Sequence, residues 1–227
     1  MSVAKPLIFD GNISRIISQG DVLAGAEILA VNAIVGASTL TAAQLVSGIL
    51  NRTGSVGAFS DTTDTASNII NALIGVGLYN VTPVTGISSG AAVQPGTTVR
   101  LRYLNTVAFI ATLLAGTGVT LVGTTAVAAS SWKDFLITVL NGTPAQVFAA
   151  TQTNASAVIT GLSQFQTSQL SVGMLVTGTN VQAASTVISV QPGIGVTLSL
   201  AVTATLSLNA LTFAPSVSIT NLGGGLL

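Results

Sequence analysis

The chain lacks cysteine and histidine altogether, and its 227 residues include 6 Lys+Arg and 6 Asp+Glu. Without cysteine there is no disulfide and no thiolate metal site. Without histidine the commonest general base and the commonest transition-metal ligand are missing. An ordinary domain is about 25% charged; this one is 5% charged, with a formal net charge of zero. Half of the charges lie within the first 52 residues, and none lies between Phe135 and Leu227. The cations Lys5, Arg15, Arg52, Arg100, Arg102 and Lys133 are scattered, so no basic block offers a nucleic-acid footprint. Near-zero net charge promotes association, and interface cores are depleted in charge. A stable assembly that hides much of the surface is the expectation.

Long hydrophobic helices are also missing. The best candidate for a membrane span, Thr106 to Ala129, carries six Thr and three Gly in 24 positions. Gly is costly in helices, and Val and Thr are stiff at χ1; these residues favour strands and turns. A membrane β-barrel would want aromatic girdles, and one Trp, two Tyr and seven Phe are few for that. The opening "MSVAKPLIFDGNISR" meets Asp10 before an apolar run of useful length, so no secretory signal and a cytoplasmic origin are expected.

What is present is a change of period. Residues 1–40 read as an N-terminal arm with one or two edge strands. In "TAAQLVSGILNR", Thr41 and Gln44 have capping-box spacing and predict a short helix. In "DTTDTASNIINALIG", Ala66, Ile69, Ile70 and Leu73 form a helical stripe, with Asp61 or Asp64 as the cap and Gly75 and Gly77 at the end. Beyond about residue 80 the pattern alternates. "TTVRLRYLN" points Val99, Leu101 and Tyr103 one way and Arg100 and Arg102 the other. "VAFIATLLAG", "GVTLVG", "DFLITVLNG" and "AQVFAAT" continue as strands. From about Asn154 five more follow: "SAVITG", "MLVTGT", "STVISV", "GVTLSL" and "ALTFAP". "GTGVTL" at 116–121 recurs as "GIGVTL" at 193–198, hinting at a shared hairpin.

The predicted fold class is mainly β, with antiparallel β-sandwich or barrel-type units and one or two short helices near residues 41–75. The predicted domains are an arm and edge strands over 1–40, a β-rich domain over 41–150, and a small charge-free β-domain over 151–227 ending in a flexible glycine tail.

Candidate chemistry is thin. Asp61 and Asp64 could pair as carboxylates or bind a metal, but helix capping explains both. Lys133 and Asp134 beside Trp132 read as a solvated strand start. Arg100 and Arg102 could grip a carboxylate or phosphate; water or a subunit salt bridge is the plainer alternative. The Gly-rich loops lack phosphate-loop spacing, and Ser or Thr nucleophiles lack an activating base. The expectation is a non-enzymatic protein without cofactor or metal.

Two stretches carry a resemblance. "TLTAAQLVSGILNRTGSVGAFSDTTDTASNIINAL" continues through "LRYLNTVAFIATLLAGTGVTLVG" and "WKDFLITV". The second is "LSVGMLVTGTNVQAASTVISVQPGIGVTLSLAVTATLSLNALTF". Together they span about residues 39–213, and the chain resembles structural proteins of tailed-bacteriophage virions. In the second stretch Val181-Gln182-Ala183-Ala184 departs from that family's turn. The resemblance implies a capsid decoration or cement protein, commonly a homotrimer, whose partner is the major capsid protein and whose place is the virion surface. It implies neither nucleic-acid nor membrane partners. Within that expectation, the charged and apolar arm residues Lys5, Pro6, Leu7, Ile8, Phe9 and Arg15 are the candidate capsid contacts. A tail fibre or receptor-binding module for the host surface is the alternative.

Overall fold

The computed structural model describes residues 7–10, 13–16, 28–77 and 93–227. The fold is mainly β, built of sandwich- and barrel-type units with short helices, as the sequence predicts. Strands β1 (Leu7–Asp10) and β2 (Ile13–Ile16) form an antiparallel two-stranded sheet of their own.

The first large unit is wound as a coil. Its strands are β3 (Ile28–Asn32), β4 (Ser38–Thr39), β5 (Gly48–Arg52), β6 (Phe59–Thr62), β7 (Thr98–Asn105) and β8 (Ala111–Leu114). Odd and even strands fall in different sheets. In one, β3, β5 and β7 are parallel neighbours; in the other, β4, β6 and β8 are. Each pair of strands is therefore one coil stacked on the last, in the manner of a short solenoid. Helix α1 (Ala42–Leu45) follows β4, and helix α2 (Ala66–Gly75) follows β6. Three further strands, β9 (Val119–Val122), β10 (Ala126–Val127) and β11 (Ser131–Asn141), complete this part of the chain. The antiparallel sandwich expected from alternation is thus partly parallel, because each coil crosses over through the opposite sheet.

Both predicted helices form for the stated reasons. Thr41 Oγ1 accepts from Gln44 N, and Gln44 Oε1 accepts from Thr41 N. Ala66, Ile69, Ile70 and Leu73 are buried. The cap of α2, however, is Thr65, whose Oγ1 accepts from Asn68 N at 3.2 Å. Asp64 instead joins the two helix starts: Oδ2 accepts from Ala42 N at 3.0 Å, and Oδ1 accepts from Thr65 N at 2.8 Å. Anionic groups are favoured beside helix N-termini.

The core lies between the two sheets. Leu50, Leu101, Tyr103, Phe135 and Ile137 face Phe59, Ala111, Leu113 and Val127, with Leu45, Ile69 and Leu73 from the helices. Burying each such Leu, Ile or Phe contributes about 1.5–3 kcal/mol.

The second unit holds β12 (Gln146–Gln152), β13 (Val158–Thr160), β14 (Leu175–Thr177), β15 (Val187–Gln191), β16 (Gly195–Leu198) and β17 (Leu206–Ala214), all paired antiparallel. Their order is β14-β17-β12-β13-β16-β15. The bridge Leu175↔Thr186 and the bond Val187 N to Met174 O at 2.9 Å join the two ends, so the sheet closes on itself. Met174, Val176, Val196, Leu211 and Phe213 fill the interior. Helix α3 (Gln164–Ser168), capped by Ser163, was not anticipated.

Three expectations need correction. The predicted boundary at 150/151 falls inside β12, which belongs to the closed unit. The glycine tail is strand β18 (Ser216–Leu226), paired along β11 in the first unit. A Cβ on Gly224 would lie 2.2 Å from Trp132 O, and one on Gly225 would lie 3.2 Å from the Trp132 indole, so the glycines allow close pairing there. The two "GxGVTL" stretches differ: 195–198 enters an antiparallel hairpin, whereas Val119–Val122 pairs parallel with β18. Thr106 to Ala129 forms strands and turns, as its composition predicts, and among the described residues no helix is long and apolar enough to cross a membrane.

Candidate functional site

The coil places three buried polar residues in register at the ends of parallel strands: Asn32 beside Arg52, and Arg52 beside Asn105. Their exposures are 3%, 0% and 0%. Each serves the corner that follows its strand or a corner of a neighbouring segment. Asn32 Oδ1 accepts from Ile34 N at 3.1 Å, and its Nδ2 donates to Ser38 Oγ at 2.9 Å. Arg52 donates to the carbonyl oxygens of Ile34, Gly36 and Gly54. Asn105 Nδ2 donates to Phe109 O, Val127 O and Ala128 O. Corners without regular pairing leave carbonyls orphaned, and buried orphans are costly. This ladder meets that need.

Asp61 lies on the core side of β6, within reach of the ladder. Its Oδ2 accepts from Arg52 Nε at 2.9 Å and from the Tyr103 hydroxyl at 2.6 Å; its Oδ1 accepts from Ser38 Oγ at 2.7 Å. The Arg52 guanidinium also stacks 4.4 Å over Phe59. Burial, then the neighbouring Asp61, raises the Tyr103 hydroxyl far above its usual range, so it remains a donor. Asp61 was expected to cap a helix. It is instead a fully buried ion-pair partner, and both of its oxygens are occupied within the chain.

A second cluster lies on the opposite face of the six-stranded sheet. Arg100 and Arg102 both pair with Asp134 across β7 and β11; Arg102 Nε stands 2.9 Å from Oδ1. Arg102 also lies 4.4 Å over the Trp132 ring. Lys133 Nζ donates to Thr124 O at 3.2 Å and to Ala126 O. Burial by itself would raise the Asp134 carboxyl, but hydrogen bonds from Arg102 and Arg100 outweigh it and hold it below the usual range. Burial lowers the Lys133 ammonium. The strand start expected to be solvated is therefore a packed charge cluster, and the carboxylate that Arg100 and Arg102 grip is the chain's own.

Among the described residues no group of three or more acidic, His or Cys side chains could hold a metal. Of the candidate contacts, Leu7, Ile8 and Phe9 fall on β1 and Arg15 on β2, while Lys5 and Pro6 lie outside the described residues. Sequence reading missed Asn32 and Asn105; the available signal was a polar residue closing each apolar run, in "LAVN" and "RYLN". The exposed surface is apolar in patches. Ile28, Leu29, Val31, Ile34 and Val35 are each more than half exposed.

Compared with known protein families, with curated proteins and with solved structures, the chain gives no match.

Proposed function

We propose that the chain is a non-enzymatic structural protein of a tailed-bacteriophage virion, a decoration or cement protein that binds the outer surface of the icosahedral head. One observation carries the reading. Arg52, Asp61, Asp64, Arg100, Arg102, Lys133 and Asp134 are all bonded within the chain, while large apolar side chains stand exposed. Over the described residues charges hold the fold, and the surface left there for contacts with other molecules is apolar and hydroxyl-bearing. Such contacts are little screened by salt. A coil stacked by backbone pairing and a closed barrel suit a rigid, permanently mounted part. The N-terminal arm, with Lys5, Pro6, Leu7, Ile8, Phe9 and Arg15, is the segment assigned to the major capsid protein.

The test is co-sedimentation of the purified protein with undecorated heads of the phage that encodes it. Saturable binding to the heads, lost on deletion of residues 1–20, is expected. Absence of binding contradicts the reading; binding to host cells instead would favour a tail-fibre role. Trp132 is a poor sugar platform, since Arg102 lies over its ring and Gly225 lies against it.

A further inference from the structure

The closed barrel is an insertion in a hairpin. Strands β11 and β18 pair antiparallel from Ser131↔Leu226 to Asn141↔Ser216, and β12 and β17 of the barrel resume pairing at Gln146↔Phe213. Residues 142–215 therefore leave and rejoin the coiled unit at one point. The chain crosses there twice, through residues 142–145 and through Pro215. The two interiors share no residue. Toward the junction one core ends at Val139 and Val217, and the other at Ala150 and Phe213. Two crossings side by side make a hinge that can bend about the line joining them. Leu140 and Val172, on either side of the junction, stay 45% and 59% exposed.

Polar side chains close the joint. Asn141 is buried. Its Oδ1 accepts from Thr143 N at 2.8 Å, which turns the chain out of β11. Its Nδ2 donates to Ser171 Oγ at 2.8 Å and to Val172 O at 2.9 Å. The Thr143 and Ser171 hydroxyls are hydrogen-bonded at 2.9 Å. On the returning strand, Ser216 Oγ donates to Gly173 O at 2.7 Å. Both crossings thus hold the same barrel loop, Ser171 to Gly173. That loop is itself anchored, since Gly173 N donates to Val187 O at 2.8 Å. On the coil side, a Cβ on Gly142 would lie 2.0 Å from Val93 O, so the first crossing lies against the backbone of the coiled unit. Buried polar networks with their partners in place rigidify a structure and select one arrangement.

We propose that Asn141, Thr143 and Ser216 form a clamp that holds the inserted barrel at one fixed angle to the coiled unit. None of the three carries a charge, so there is nothing for salt to screen. The clamp is separate from head binding, because it sets the angle between two parts of one chain whatever surface the chain is mounted on.

The chain has no cysteine, so spin labels can be placed at chosen sites. Val122→Cys in β9 and Phe165→Cys in α3, at positions 46% and 65% exposed, put one label on each unit of the full-length chain. Co-expression with an excess of cysteine-free chain keeps labelled copies apart. Double electron–electron resonance is expected to give one narrow distance distribution, the same at low and high salt. Asn141→Ala with Ser216→Ala should broaden it while leaving the circular dichroism spectrum unchanged. Should that variant not fold, Ser171→Ala with Ser216→Ala keeps the Asn141 turn and should broaden the distribution as well. A broad distribution in the labelled parent overturns the proposal. So does a narrow one in the folded clamp variant, since the crossings alone would then fix the angle. Neither result bears on binding to heads, which is read separately by sedimentation.

Discussion

Tyr103 and Asp61 join the two sheets of the coiled unit: the Tyr103 hydroxyl in β7 donates to Asp61 Oδ2 in β6 at 2.6 Å. Arg52 meets the same oxygen, and all three side chains are buried. Removing one partner of a buried ion pair costs about 3–5 kcal/mol, and losing a hydrogen bond to a charged group costs about 1.5–3 kcal/mol. Asp61→Asn is therefore expected to lower the urea-unfolding free energy more than Tyr103→Phe. Equal losses for the two variants would refute the ordering.

The same network sets an alkaline limit. The Tyr103 pKa is raised in the folded state, so its contribution is complete below the unfolded value of about 10 and is lost as pH rises above it. Stability is expected to fall beyond about pH 10, and less steeply in Tyr103→Phe. Urea midpoints measured across that range check this.

On the acid side the sign reverses. Asp134 has a lowered folded pKa. Its contribution is present above the unfolded value of about 3.9 and is lost as pH falls below it, towards the lower folded value. Arg100 and Arg102 side chains are 52% and 39% exposed, so solvent weakens the pairs. Asp134→Asn should cost about 1 kcal/mol at neutral pH and flatten the acid limb of the unfolding curve. An unchanged acid limb would exclude the assignment.

Stacked coils touch backbone to backbone at two glycines. A Cβ on Gly54 would lie 2.2 Å from Ala33 O, and one on Gly116 would lie 2.4 Å from Thr63 O. Each of these glycines follows a strand, and each contact is made with the coil before it. Gly57 in the same loop meets nothing within 4 Å. Gly54→Ala and Gly116→Ala should destabilise, whereas Gly57→Ala should be neutral or stabilise by about 0.4–1 kcal/mol through the unfolded chain. Thermal unfolding midpoints separate the cases; a tolerated Gly54→Ala would contradict the stacking.

The sequence was legible where a local rule decides. Thr41 and Gln44 announced α1, the stripe from Ala66 to Leu73 announced α2, and alternation placed β7. It was silent where distant segments meet. The coil has strands as short as Ser38–Thr39, too brief to show a period, and period alone does not distinguish parallel from antiparallel neighbours. Asp61 looked like a cap because it precedes a helix, but the inward side of β6 and the reach of Arg52 placed it in the core. The run Gly223–Gly225 looked like a tail because nothing nearby in sequence shows Trp132 lying across from it.

We propose that, outside the N-terminal arm, this protein assembles through uncharged surface while the charges of its described residues hold the fold. Light scattering of the purified protein at about 0.05 M and about 1 M salt tests it most directly, since the screening length falls several-fold over that range. An assembled mass that is the same at both concentrations is predicted. A monomer at both, or an assembly that dissociates at high salt, would contradict the account.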